Sequence, residues 1–384
     1  MQKIKMGMVG GGTGSFIGGV HRIAAAIDGQ IELVCGAFSS DPTKSKESGK
    51  ALFLPENRVY GSFEEMILKE KELPESERMD FISIVTPNHM HFAPAKLALE
   101  NGFHVVCDKP VAFDLDEAVT LKKLVDQSGL YFALTHNYTA YPMIKQAKEL
   151  VKEGKLGKIR KVIAEYSQGW LATKLEDSGQ KQASWRVDPS KSGAGGAIGD
   201  IGTHAANLAE YITGLEIDAV CADITTFVEG RLLDDDANVL LRFKDGAKGV
   251  LHVSQICVGE ENNLRIKVYG EKGGLVWQQQ EPNSLEVKFM DQPTQVFRTA
   301  SAGIGQTATE VTRIPAGHPE GYLEAFATIY KKFASVLQST KSRSTPNESD
   351  LDFPTVDDGI RGMLFIDRVI ASSKEEQTWK NVSL

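Results

Sequence analysis

"GMVGGGTGSFIGGVHR", residues 7–22, closes an apolar segment and opens an amphipathic one across a run of glycines. The segment before it, "KIKMGMVG" (3–10), reads as a strand, and "GGVHRIAAAIDG" (18–29) as a helix closed by Gly29. Glycines at such a strand-to-helix turn let bare backbone approach a pyrophosphate, which the helix N-terminus then favours. Gly10 and Gly12 form the first pair. Gly18 is the candidate third glycine, six residues beyond Gly12, so the loop is about three residues longer than G-x-G-x-x-G. A glycine-rich turn in any α/β protein is the alternative, but its place after the first strand favours a dinucleotide.

Alternation continues beyond the loop. "IELVCGAF" (31–38) is a strand and "DPTKSKESGKAL" (41–52) a polar helix opened by Asp-Pro; "MDFISIVTP" (79–87) is a strand and "HFAPAKLALENG" (91–102) a helix. "HVVCDKP" (104–110), "LDEAVTLKKLVDQSG" (115–129) and "LYFALTH" (130–136) add strand, helix and strand. Strands separated by helices of this length imply βαβ units and a parallel sheet. After "YPMIKQAKELVKEG" (141–154) the pattern changes. "KIRKVIAEYS" (158–167), "IDAVCADITTFV", "NVLLRF", "GVLHVSQICV", "LRIKVYG" and "GLVWQQ" are strands with few helices between them, and "KDGAK" (244–248) carries an Asp-Gly hairpin signal. A mostly antiparallel open sheet in an α+β domain is expected there, giving domains at 1–140 and 141–384. Residues 168–196 form a long irregular stretch, a length usually associated with function.

The bulk properties narrow the class. The chain has 384 residues and a net charge of −8, which disfavours nucleic acid or an anionic membrane as principal partner. No apolar run approaches the roughly 20 residues of a membrane span. Four separated cysteines fit reduced thiols better than a disulfide frame, and no signal-peptide pattern precedes the first strand, so a cytoplasmic protein is expected.

Cofactor choice turns on the end of the second strand, where Ser39, Ser40 and Asp41 stand and no Arg awaits a 2′-phosphate. Asp41 suits a free ribose 2′-hydroxyl or, alternatively, the cap of its own helix, so NAD is expected over NADP, with NADP left open. The second chemical cluster is "SGAGGAIGDIGTHAANL" (192–208), which sets Asp200 and His204 four residues apart, on one face of a helix starting near Ala197. A capping acid beside a surface histidine is the plain alternative. No Cys or third His has ligand spacing nearby, so no metal is expected. Lys109 ends a parallel strand, the edge at which α/β sheets bind ligands, with Asp108 as its simplest ion-pair partner.

Taken together, "VTPNHMHFAPAKLALENGFHVVCDKPVAF" (85–113), the glycine loop and "GAGGAIGDIGTHAANL" resemble the glucose–fructose oxidoreductase/inositol dehydrogenase (Gfo/Idh/MocA) family in order and separation. The resemblance covers at least residues 3–275. It implies a Rossmann domain, an open-faced α/β domain that often builds homodimers or homotetramers through its sheet, and NAD(P)-linked redox chemistry on sugars or polyols. Lys109 would then contact the nicotinamide ribose and a substrate hydroxyl, Asp200 a substrate hydroxyl and His204 the reacting oxygen. Departures are the enlarged loop, Asp108 in place of Glu, and Ala197 in place of a bulkier residue. The expected cofactor contacts are Gly10, Gly12, Thr13, Phe16, Ile17, Ser39, Ser40, Asp41, Thr86, Pro87, Asn88, His91, Asp108 and Lys109.

Chemically, His204 near a helix N-terminus suits a neutral proton acceptor, Asp200 steadies the resulting cation, and the Lys109 ammonium stabilises alkoxide-like charge. Candidate substrate contacts are Asn137 and Tyr138 after the last Rossmann strand, and Lys181, Trp185 and Arg186 in "SGQKQASWRVDP" (178–189), which offers a ring face and a guanidinium fork. A loop anchored by a buried Trp is the alternative there. His318, in "RIPAGHPEGY" (313–322), either faces the substrate or simply opens a helix. The resemblance implies two enzymatic functions: an NAD-linked dehydrogenase of a cyclic sugar or polyol, or, as in some members of that family, an NAD-dependent glycosidase acting by oxidation, elimination and reduction, for which Lys181 and Arg186 would suit an anionic substrate such as a sulfoquinovoside. A cofactor-binding regulator is the third.

Overall fold

The computed structural model describes residues 3–383. The chain divides into two compact units: residues up to Asn137 together with Tyr322–Ile360, and Tyr138–Gly321 together with the residues from Arg361 onward.

The first unit is a five-stranded parallel sheet of β1 (Ile4–Gly10), β2 (Ile31–Ala37), β3 (Phe81–Val85), β4 (His104–Cys107) and β5 (Phe132–Leu134), in the order β2-β1-β3-β4-β5. Every residue of β3 is buried, as an apolar run covered on both faces requires. Its crossovers carry α1 (Phe16–Ile27), α2 (Pro42–Ala51), α3 (Phe63–Glu72), α4 (Phe92–Glu100) and α5 (Leu115–Ser128). Of these, α3 lacks a clear apolar stripe in sequence. It is held by Met66, Ile67 and the buried Glu70, whose carboxylate takes Arg58, the Tyr60 hydroxyl and the Met79 N–H.

Residues 322–360, expected in the second domain, group by packing with the first unit. The helix Tyr322–Lys341 lies along α1, with the Tyr330 hydroxyl 2.7 Å from both His21 Nδ1 and Ser83 Oγ, and Phe333 edge-on to Phe81.

The second unit is a nine-stranded sheet in the order β13-β12-β11-β10-β6-β9-β8-β7-β14. Its strands are β6 (Ile159–Ser167), β7 (Ile217–Thr225), β8 (Asp236–Phe243), β9 (Lys248–Ser254), β10 (Asn263–Gly270), β11 (Gly273–Gln278), β12 (Ser284–Phe289), β13 (Gln295–Arg298) and β14 (Lys380–Asn381). All neighbours are antiparallel except β6 and β9. β8 and β9 are joined through Asp245 and Gly246, both at positive φ (69° and 89°), as the Asp-Gly signal requires. Alternation on β8 is clean: Ala237, Val239, Leu241 and Phe243 are buried, while Asn238, Leu240 and Arg242 face outward. Helices α6 (Pro142–Lys152) and α7 (Thr203–Thr213) pack on this sheet. The stretch 168–196 is not structureless; it folds into the short turns Leu175–Ser178, Lys181–Arg186 and Pro189–Ser192.

Candidate active site

The glycine loop is built for close approach. Helix α1 begins at Phe16, two residues before the expected start, because Ser15 caps it by accepting the Gly18 N–H. Gly18 therefore lies in the first turn, and a Cβ there would stand 2.3 Å from the Gly11 Cα. Gly11 is thus its packing partner. A Cβ on Gly12 would strike Ser48 Oγ at 2.7 Å, and that same hydroxyl accepts the Thr13 N–H at 3.1 Å. On the other side the loop is open: nothing lies within 4 Å of a Cβ on Gly14, and the Phe16 ring is 66% exposed. Bare backbone at a capped helix start, beside an uncovered aromatic ring, fits a pyrophosphate and its nucleotide.

At the end of β2, Asp41 is exposed and accepts the Thr43 and Lys44 N–H groups of α2, so it does act as a helix cap; Ser39 in turn accepts the Asp41 N–H. Ser40 is exposed and Ile17 half-buried.

After β3, Thr86 and Pro87 are half-buried and Asn88 is buried. His91, expected to touch the cofactor, is wholly buried, with Nδ1 2.6 Å from the Pro110 carbonyl and Nε2 2.9 Å from the Thr86 carbonyl. Both ring nitrogens are committed to backbone, so this histidine ties the Thr86 turn to the turn after Lys109 instead of reaching a ligand. Burial holds its pKa below the ordinary value. Asp108 accepts the Lys109 N–H and the Thr135 hydroxyl. The shorter acid therefore serves as a clamp between β4 and the end of β5. Burial, with Lys109 as a lesser cause, lowers His136 to about 3 and keeps it neutral. Next to it Asn137, 2% exposed, leaves its buried amide nitrogen without a partner, a donor that a bound cofactor or substrate would satisfy.

In the second unit, the acid and imidazole stand where a π-type turn, Ile198–Gly202, runs into α7. Four residues make close to one turn in either geometry, so Asp200 and His204 keep a common face. The Asp200 carboxylate accepts from Arg186 Nε at 3.2 Å and Gln255 Nε2 at 3.0 Å. The Arg186 guanidinium lies 4.3 Å from the Trp185 ring centroid and 6.0 Å from that of Trp170. Gln168 joins Trp170 to Asn262, which meets the Tyr166 and Tyr138 hydroxyls, themselves 2.6 Å apart. His204, 8% exposed, sets its ring edge-on to Tyr138 at 4.8 Å. Burial raises the Tyr138 phenol, keeping it protonated.

Tyr138, Arg186, Asp200 and His204 thus belong to one cluster, with Trp185 on the Arg186 face. Lys181 is exposed at the start of its short helix. His318 is exposed in a turn, with Nδ1 near the Pro315 carbonyl; the long helix starts only at Tyr322, so this residue does not open it. Gln168, Trp170, Gln255, Asn262 and Tyr166 were not foreseen as site residues. They come from strand ends and loops without a local motif. Among the described residues, no group of three or more His, Cys, Asp or Glu is arranged to hold a metal ion, and no helix is long and apolar enough to cross a membrane.

Known proteins share this plan. Residues 4–136 match the oxidoreductase family with NAD-binding Rossmann fold, and residues 144–276 the GFO/IDH/MocA C-terminal domain. An uncharacterised oxidoreductase of Bacillus subtilis (strain 168), YfiI, is 31% identical over 382 residues, covering 98% of this chain and 96% of its own. The crystal structure of an oxidoreductase from Sinorhizobium meliloti is 44% identical with a TM-score of 0.89, covering 99% of this chain and all (100%) of that one. An inositol dehydrogenase homolog from Azotobacter vinelandii, complexed with NADH and myo-inositol, is 32% identical with a TM-score of 0.91, covering 99% and 98% of the two chains. This chain belongs to the Gfo/Idh/MocA oxidoreductase family, with that family's NAD-binding domain at residues 4–136.

Proposed function

We propose that the protein is an NAD-dependent dehydrogenase of a cyclic polyol or sugar, with Lys109, Asp200 and His204 acting on one substrate. The observation that carries this reading is the setting of Asp200, whose carboxylate is held by a guanidinium and an amide within a ring of amides, phenols and indoles. Planar donors and acceptors around an aromatic wall suit a ring bearing several hydroxyls. The myo-inositol complex of a relative supports the same substrate class.

When bound, the nicotinamide supplies the hydride acceptor or donor. Gly10, Gly12, Thr13, Phe16 and Ile17 would hold the pyrophosphate side and Ser39, Ser40 and Asp41 the adenosine ribose. Thr86, Pro87, Asn88 and Asn137 would serve the nicotinamide half. His204 takes the substrate hydroxyl proton. Lys109 stabilises negative charge growing on that oxygen, and Asp200 fixes a neighbouring hydroxyl and steadies the imidazolium. Arg186 is already matched by Asp200, which favours a neutral substrate over an anionic one. The outward face of the second unit's sheet, with Leu240 50% and Tyr269 38% exposed, would receive a second copy of the chain.

The test is a panel of myo-inositol, other cyclic polyols, aldoses and aryl glycosides with NAD and NADP, following reduced nicotinamide and aglycone together. Accumulating NADH with a polyol or sugar is the expected result. Aglycone release without NADH would replace the dehydrogenase by the glycosidase, and light scattering after size exclusion would report the oligomer.

A further inference from the structure

Asp234 lies just before β8, is 8% exposed, and reaches back across the chain to the turn that precedes Asp200. Its carboxylate accepts the Gly196 N–H at 2.6 Å and the Ile198 N–H at 2.7 Å, while its own carbonyl accepts the Ala197 N–H at 2.9 Å. Three successive donors, of the kind a helix start leaves unpartnered, therefore end on one residue. The approach leaves no slack: a Cβ on Gly196 would meet the Asp234 carbonyl oxygen at 2.1 Å. From there the link to the chemistry is a single residue long, because the Gly196 carbonyl accepts the Asp200 N–H at 2.8 Å.

This carboxylate is kept in an unfavourable place. Burial pushes it up to about 6 against the pull of its N–H donors, and the neighbouring Asp235 pushes the same way. Asp235 is itself taken up by Arg231, which Glu176 shares, and by the Phe227 and Val228 N–H groups. Both oxygens of the buried Asp234 are nevertheless used, one on each of two backbone N–H groups of the same turn, so the carboxylate fixes that turn at two points.

We propose that Asp234 is the positioning residue of the proton-transfer pair: by gripping Gly196 and Ile198 it sets where Asp200 and His204 stand. The inference rests on the roles given above to Asp200 and His204. It concerns their placement only, since the groups Asp234 holds are the backbone N–H groups of Gly196, Ala197 and Ile198.

Asp234→Asn tests it. The variant keeps the size but turns an amide donor against one of the two N–H groups. Four readouts are taken on the full chain: kcat and KM with NAD and the best polyol of the panel, NAD affinity by nucleotide fluorescence, melting temperature, and the proton resonance of the His204 ring, assigned by its loss in His204→Ala. That ring sits edge-on to Tyr138, so a small displacement changes its ring-current shift. The expected result is a kcat lowered about ten- to a hundredfold, the usual effect of ångström-scale misplacement, with NAD affinity and melting temperature close to wild type and the His204 signal moved. Wild-type kcat with an unmoved signal overturns the inference, as does a lowered kcat in folded protein whose His204 signal has not moved.

If Asp234→Asn does not fold, Gly196→Ala pushes the same turn away from Asp234, whose carbonyl oxygen the new Cβ would strike, and must give the same signature. The NMR readout needs no substrate and decides alone if no polyol turns over. Should Asp200→Asn and His204→Ala retain full activity, the proposed function fails. Should those two be disabled while Asp234→Asn is unaffected, only the present inference fails.

Discussion

At the scale of single residues, charge and proton bookkeeping assign separable effects to Lys109 and His204. Lys109→Met removes the cation proposed for the reacting oxygen and leaves the glycine loop intact. Turnover should vanish while NAD still binds, checked by steady-state rates beside nucleotide fluorescence; undiminished turnover takes Lys109 out of the mechanism. His204→Ala removes the proposed proton acceptor and should lower kcat by roughly 10²–10⁴, the ordinary worth of a general base. A loss smaller than about tenfold across the whole pH range would assign that proton to another group. His91 shows how a motif residue changes meaning once its partners are known: its type and spacing are legible in sequence, but its ring nitrogens both meet backbone carbonyls, those of Thr86 and Pro110.

At the scale of elements, the glycine loop and α1 make a testable joint. Gly18→Ala puts a methyl group 2.3 Å from the Gly11 Cα, so loop and helix must separate. Overpacking of this kind costs about 1–3 kcal/mol, more than the roughly 1 kcal/mol of helix propensity that alanine brings. Stability in urea and NAD affinity should both fall. The adjacent Gly19→Ala, where nothing lies within 4 Å of the new Cβ, should instead gain up to about 1 kcal/mol and leave NAD affinity alone. Equal behaviour of the two variants would mean that the Gly11–Gly18 contact does not shape the cofactor loop.

At the scale of the whole molecule, acid should act unequally on the two units. Three histidines of the first unit, His21 and His136 buried and His104 half-buried, are held low by desolvation: His21 and His104 to about 4, and His136 to about 3. Unfolded, each titrates near 6.5, so the unfolded chain binds these protons first. Their stabilising contribution is complete above that value and is lost as pH falls toward 4, at roughly 1.4 kcal/mol per pH unit for each group as an upper bound. Asp234 in the second unit has the opposite sign: its folded value is raised to about 6, so protonation between 6 and 4 relieves that unit. Hydrogen exchange at pH 7 and at pH 5 should show protection lost first in the sheet β1–β5. Simultaneous loss in both sheets would contradict this.

Much of this architecture was readable from neighbours two to four residues apart. Periodicity distinguished the parallel half from the antiparallel half, Asp245-Gly246 marked its hairpin, and the segments around Gly10, Lys109 and His204 pointed to a nucleotide and a proton acceptor. Hydrogen-bonding geometry and side-chain alternation are local, so these elements announce themselves. What packing alone decided lies far apart in the chain. Tyr330 meets Ser83 across 247 positions and so draws a C-terminal helix into the first unit; Gln255 reaches Asp200 across 55, and Asp234 reaches Gly196 across 38. Such partners share no spacing rule, because a buried hydroxyl, amide or carboxylate is satisfied by whatever the completed core brings within 3 Å or so. The residues proposed for the chemistry are therefore legible in short motifs, and their setting is decided by distant residues that fold against them.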